Sequence, residues 1–242
     1  AVGARAEVKL PKIISDHMVL QKGVALPIWG WADPGEEVAV ALGGKKAVAK
    51  ADEKGRWAVK LGAPKVGGPH ELVVATANST VTVKDILVGE VWVASGQSNM
   101  QWSVNASANP QQEIAAANSP KIRLFTVNRK VSDKPLDDCF GSWSECNPTS
   151  VRGFSAAAYF FGRYLHKELD VPVGMINTSW GGTICEAWTS HEGLLGEEDF
   201  EPILQRAAKF NPNNPNQASV LYNAMIHPLV PFGIRGAIWD QG

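Results

Sequence analysis

Three cysteines in 242 residues are too few to build a disulfide scaffold. Only Cys139 and Cys146 lie close enough in the chain to close a short loop, with Cys185 left over; that spacing allows a bond without requiring one. Charge of one sign is also lacking. Lys and Arg total 23 against 24 Asp and Glu, for a formal net charge of -1, and no basic run stands out. Neutralising phosphates needs clustered cations, so nucleic acid is excluded as a partner. Long apolar runs are missing as well. Residues 85–94 are broken by charge and glycine well short of the length that crosses a bilayer, so no membrane anchor is expected. Neither an initiator Met nor a leader-like segment stands at Ala1-Val2-Gly3-Ala4, which leaves a mature terminus, a cut edge and a tag remnant equally open. Asn78, Asn105 and Asn177 each begin an Asn-X-Ser/Thr triplet, a motif too short to carry weight alone.

With 45% hydrophobic residues the chain can bury a substantial core, as one large domain or two modest ones. From Val8 to about Lys84 it reads as short β-rich runs at residues 27–31, 38–42, 57–61, 71–75 and 80–83. Asp33-Pro34-Gly35, Gly43-Gly44 and Asp52-Glu53-Lys54-Gly55 lie between them as turns. This pattern predicts a small antiparallel β-sandwich over residues 1–85. The pattern then changes. Apolar strands at 91–95, 121–127, 171–177 and 234–239 alternate with helix-like segments, which predicts an α/β domain with a parallel sheet over residues 86–242. Ser155 is placed to cap a crossover helix through Lys167, ended by Val171-Pro172, and a shorter helical stretch is expected from Ser219 to Ile226.

In open α/β sheets ligands bind beyond the carboxyl ends of the strands. After the first strand of this half stands Gly96-Gln97-Ser98-Asn99-Met100, after the third Thr178-Ser179-Trp180-Gly181-Gly182-Thr183, and after the fourth Asp240-Gln241-Gly242. A serine in a tight turn after glycine can expose its hydroxyl while its own N–H faces a carbonyl oxygen that becomes negative, an arrangement suited to acyl transfer. The Gly181-Gly182 turn offers a second backbone N–H, and the Gln241 amide a third donor. Each has a plainer reading: Ser98 as a helix N-cap, and Gly181-Gly182 as an ordinary turn. Met100 stands where the Gly-x-Ser-x-Gly elbow has its second glycine, so the usual α/β-hydrolase signature is absent.

Residues Val91 to Met100, with Ser179-Trp180-Gly181-Gly182-Thr183 and Glu186-Ala187-Trp188 downstream, resemble the sialate O-acetylesterase family and its carbohydrate acetylesterase relatives. Two further blocks follow in the same order, Tyr222-Asn223-Ala224-Met225-Ile226-His227-Pro228-Leu229 and Gly236-Ala237-Ile238-Trp239-Asp240-Gln241-Gly242. Upstream, Ser15-Asp16-His17-Met18-Val19-Leu20-Gln21 is similar to the opening of the family's β-domain. The resemblance implies an SGNH-hydrolase-like parallel sheet flanked by helices. It also implies Ser98 as nucleophile, Gly182 and Gln241 as oxyanion donors with the Ser98 N–H, and Gln97, Asn99 and Gly181 against the substrate. The implied reaction hydrolyses an acetyl ester on a sugar hydroxyl through an acetyl-serine intermediate, with no metal or organic cofactor. The implied partner is an acetylated sugar or glycan; sialic acid and xylan are both within the class.

Two departures from the family pattern stand out. Asp240 replaces the usual Tyr before Gln-Gly, which puts a carboxylate near the expected oxyanion pocket. The family's Asp-x-x-His base segment has no counterpart before Gly242, so a C-terminal companion segment is expected to supply the Asp and His. Of the five histidines, His17, His70, His166 and His191 read as structural or solvated, and the position of His227 in its block is not that of the base. A non-catalytic glycan-binding protein of the same fold is the competing reading, favoured by nine tryptophans. A glycan substrate and the Cys139/Cys146 pair together point to an extracytoplasmic place.

Overall fold

The computed structural model describes residues 7–195, 198–207 and 209–242. The stretch Ala1-Val2-Gly3-Ala4, and the choice of origins attached to it, lies outside them. The first half consists of β1 (Val19–Gln21), β2 (Ala25–Trp31), β3 (Glu37–Leu42), β4 (Lys45–Lys50), β5 (Arg56–Gly62), β6 (Gly67–Ala75) and the long β7 (Thr80–Gly96). Then come α1 (Ser98–Gln101), α2 (Pro110–Ala116), β8 (Ser119–Thr126), β9 (Trp143–Cys146), α3 (Ala156–Leu169), β10 (Val173–Ser179), α4 (His191–Leu194), α5 (Glu201–Arg206) and β11 (Gly236–Asp240).

The period-two patterns fold as they read. In β3 the buried side chains are Val38, Val40 and Leu42, and in β5 they are Trp57, Val59 and Leu61. β2 pairs with β5 in a two-stranded antiparallel sheet, while β4, β3, β6 and the first part of β7 form an antiparallel run, and the buried residues of both meet in one core. Strand β4 escapes sequence periodicity because none of its side chains is fully buried. Gly43 and Gly44, both at positive φ, form the two-residue turn that sets it against β3.

β7 organises the molecule. Its first part pairs antiparallel with β6, β1 lies parallel against Leu87 to Gly89, and its last residues lie parallel between β10 and β11. The order β11-β7-β10-β8 is a parallel sheet, with β9 antiparallel at the β8 edge. The molecule is thus mixed α/β around a large sheet. Position 85, where the change in sequence pattern divides the chain, falls inside β7. Asp85 sits there at φ 54° and accepts hydrogen bonds from Arg123 of β8 at 2.5 Å and His17 at 2.7 Å. The Arg123 guanidinium, almost wholly buried, is the main influence holding the Asp85 carboxyl below the ordinary carboxylate range, against the opposing effect of burial.

Helix α3 closes one face of the parallel sheet. The Ser155 hydroxyl accepts from Ala158 N at 3.1 Å, the expected cap, and Asp170 ends the helix in the left-handed region. A Cβ on Gly162 would lie 2.7 Å from Met175 Cγ, so glycine lets α3 approach β10 closely. The expected helix from Ser219 to Ile226 is a short π-type turn over Tyr222–Ile226 followed by a 3-10 turn over His227–Leu229. Ser219 stands at φ 64°, and Asn223 donates to Ser132 O while its own carbonyl accepts from Leu136 N, ties to a neighbouring loop in place of a regular helix. Among the described residues no helix is long and apolar enough to cross a membrane. Asn177 is buried within β10, which removes it as a glycosylation acceptor.

All three cysteines are free: Cys139 is buried in the core shared with the first half and Cys146 in the one under α3, while Cys185 is exposed. Burial pushes the Cys139 thiol up to about 12 and the Cys146 thiol up to about 11. Ellman's reagent applied to the native protein at about pH 8 is therefore expected to label Cys185 quickly, and the other two only after denaturant is added. Fast labelling of more than one thiol would contradict this packing.

Candidate active site

β7 ends at Gly96, whose φ of +127° turns the chain sharply into α1. Gln97 is the N-cap residue of α1 and makes no side-chain capping bond, so Ser98 occupies the first helical position. The N-cap reading of Ser98 is thereby replaced. Its hydroxyl bonds no described group, and the residue is exposed beside a cleft of about 930 Å³. The orphan N–H groups at the start of α1 point out from the same turn.

Gly181 packs against the back of Ser98: a Cβ there would lie 3.4 Å from Ser98 Cα and 2.9 Å from Gln101 Oε1. Its N–H donates to Gln101 Oε1 at 2.5 Å, so that donor is already spent. Gly182 follows at φ +77°, exposed, and its carbonyl accepts from Asn216 Nδ2 at 3.2 Å.

Of the six residues singled out from the sequence, Ser98 and Gly181 line the cleft. Gln97, Asn99, Gly182 and Gln241 are not among its lining residues. Gln97 Nε2 donates to Gly242 O at 2.5 Å, Asn99 Nδ2 to Asp240 Oδ1 at 3.3 Å, and Gln241 Nε2 to Thr183 O at 2.8 Å. These bonds tie the end of β11 to α1 and to the Gly181-Gly182 turn. The Asp240 carboxylate faces Asn99 and does not line the cleft.

The cleft wall also holds residues that sequence reasoning passed over. Gln101 lies one turn along α1 from Ser98, a spacing that puts both on one helix face. Asn177, buried in β10, accepts at Oδ1 from Ser179 Oγ at 2.7 Å, while its amide nitrogen bonds no described group. Asn128 and Arg129 follow β8, and the strand-end rule applied to that strand would have found them. The Arg129 guanidinium lies over the Trp180 ring, 5.6 Å from its centroid. It is the one ionisable side chain among the described residues that line the cleft.

None of the five histidines reaches this wall. His17 bonds Asp85, His70 Nε2 lies 3.1 Å from Lys65 O, His166 Nδ1 lies 2.7 Å from Val171 O, and His191 begins α4. His227 Nδ1 lies 2.9 Å from Leu136 O.

An exposed serine thus stands at the end of a central parallel strand, backed by a glycine turn from the neighbouring strand, an arrangement suited to acyl transfer. The comparisons narrow it. A profile described as "Carbohydrate esterase, sialic acid-specific acetylesterase" matches residues 88–242, and the chain belongs to that family. It is 34% identical over 275 residues to the sialate O-acetylesterase of Mus musculus, covering 95% of this chain and 50% of that protein. To the sialate O-acetylesterase of Homo sapiens it is 36% identical over 251 residues, covering 95% of this chain and 47% of the other. The crystal structure of a carbohydrate acetylesterase from Xanthomonas citri superposes with a TM-score of 0.87 at 38% identity, covering 97% of this chain and 51% of that one. The chain thus spans about half the length of the relatives it matches.

Proposed function

We propose that this protein is a carbohydrate O-acetylesterase in which Ser98 is the nucleophile. The observation that carries the reading is the free, exposed Ser98 hydroxyl at the mouth of the cleft, in a chain of this family. In the proposed reaction Ser98 Oγ bonds to the acetyl carbonyl carbon as its proton passes to a base. The oxyanion takes hydrogen bonds from the Ser98 and Gly182 N–H groups and from the second amide hydrogen of Gln241. The C–O bond to the sugar then breaks, the sugar oxygen takes up the proton, and water releases acetate from the acetyl-serine by the same steps in reverse order. Gln97, Asn99 and Gly181 keep the turn in place beside the substrate. No metal or organic cofactor enters these steps.

The base is proposed to be a histidine, oriented by an aspartate, on a companion segment beyond these 242 residues, since no described histidine faces the cleft. Residues 1–85 are proposed as a β-sandwich unit that supports the esterase unit of residues 86–242 through the shared strand β7. An extracytoplasmic location is proposed on the glycan substrate alone, because the cysteines are free. The test of the whole reading is hydrolysis of p-nitrophenyl acetate by the full-length protein and by its Ser98→Ala variant.

Arg129 bears on which sugar is taken. A lone guanidinium on the cleft wall suits a sugar that carries a carboxylate, as sialic acid does. Arg129→Ala is expected to raise KM for O-acetylated sialic acid by about tenfold or more, the loss of one charge-assisted hydrogen bond, while p-nitrophenyl acetate turnover stays unchanged. Equal effects on both substrates would count against a carboxylate contact.

A further inference from the structure

In an antiparallel ribbon the side chains alternate between faces, and the face turned away from the core ordinarily carries polar groups. Leu26, Ile28 and Gly30 of β2 are buried, whereas Pro27, Trp29 and Trp31 occupy the other face and are partly exposed. Opposite them in register on β5 stand Lys60, Ala58 and Arg56. Two tryptophans therefore hold outward positions, and the methyl group of Ala58 opposite Trp29 leaves a trough of about 420 Å³. Its far wall is His227, Pro228 and Pro231.

Core packing explains only part of this. Trp29 packs against the core and meets Phe232 edge-on, with ring centroids 6.5 Å apart. Trp31 is not among the side chains packed against either core.

The polar groups around the trough cancel in charge. Arg56 pairs with Asp137 at 3.0 Å with both side chains about half exposed, and Lys50 and Asp52 complete two cations against two anions. The Leu136 carbonyl can only accept, so His227 Nδ1 carries the proton in their 2.9 Å hydrogen bond. That leaves Nε2 as the acceptor of the neutral ring. Broad indole faces beside a charge-balanced set of donors and acceptors match one ligand chemistry, a neutral pyranose. Its C–H face lies on the rings and its hydroxyls bond the rim. An aliphatic ligand would strip water from the Arg56–Asp137 pair without replacing its hydrogen bonds, and an anion would meet as many carboxylates as cations.

We propose that the trough between β2, β5 and residues 227–231 is a second carbohydrate-binding site, which takes a neutral sugar unit of a glycan. It shares no lining residue with the cleft at Ser98. A glycan long enough to engage both sites would be held at raised effective concentration near the serine. The site stands on its own chemistry, whether or not Ser98 is a nucleophile.

The test is a titration of the full-length Ser98→Ala protein, which removes any turnover, with lactose, N-acetyllactosamine and xylohexaose, none of them acetylated on oxygen. Binding is followed by calorimetry and tryptophan fluorescence. At least one of the three is expected to bind, and Trp31→Ala to weaken that binding by about tenfold or more, the usual cost of truncating an aromatic anchor. Ala58→Gln, at an exposed strand position, fills the trough without touching the core and is expected to weaken binding likewise. It also serves if Trp31→Ala fails to fold. Absence of binding by all three sugars overturns the proposal, as does binding that neither variant weakens.

Discussion

Ser98→Ala is expected to lower kcat/KM for p-nitrophenyl acetate by at least about 10³-fold, in line with the loss of a serine nucleophile in other hydrolases. The structure separates this loss from any effect on folding. The Ser98 hydroxyl makes no capping bond, and Gln97 holds the N-cap position of α1, so alanine removes one oxygen and no described contact. Alanine is also favoured in a helix. The melting temperature of the variant should therefore match that of the parent. Turnover lost at unchanged stability assigns the chemistry to this oxygen. Turnover that persists in the variant would sink the esterase mechanism centred on Ser98, and absence of turnover in parent and variant alike would favour the binding-only reading. The experiment requires the full-length protein, because the proposed histidine lies outside these residues.

Much of the fold was legible because burial imposes simple periods. Val38, Val40 and Leu42 alternate as a half-buried strand must, and the fully buried run of β10 reads as a parallel strand covered on both faces. The capped helix α3 carries its start signal at Ser155 and its stop at Val171-Pro172. Elements that burial does not govern were hidden. β4 has no fully buried side chain, β1 is three residues long, and β9 is a short edge strand. The continuity of β7 through residue 85 was hidden too, since a strand can change neighbours without changing its own pattern.

For the site, the ends of three strands pointed to Ser98 and to the Gly181-Gly182 turn. Their sequence did not reveal that Gly181 spends its N–H on Gln101, or that Gln97, Asn99 and Gln241 bond to the backbone and side chain of neighbouring segments. Such pairings join residues up to 145 positions apart and leave no local signature. Arg129 was hidden for a different reason: the segment after β8, Asn128-Arg129-Lys130-Val131, has no glycine to mark a tight turn at the strand end.

The turn that presents Ser98 depends on Gly96, and Gly96→Ala is expected to be among the most damaging single changes in the molecule. At φ +127° an L side chain is strained whatever space surrounds it. Here there is no space either: the added Cβ would lie 1.9 Å from Asp240 O and 2.8 Å from Asp240 C, backbone atoms of β11 that cannot rotate away. Moving β11 would break the bond from Gln97 N to Asp240 O, and moving β7 would break the bond from Trp180 N to Gly96 O, both of which fix the serine turn against its neighbours. Backbone strain and a steric clash together put the expected loss at about 3 kcal/mol or more, a fall in Tm of roughly 6 °C or more for a chain of this size. Activity should fall with it, because relief of the clash displaces Ser98 from Gly181. Gly62→Ala is the matched control, since nothing lies within 4 Å of its added Cβ and its backbone is ordinary. Thermal unfolding of the two variants beside the parent decides the matter: a Gly96→Ala protein as stable as Gly62→Ala would show that β11 does not cross β7 at this closeness.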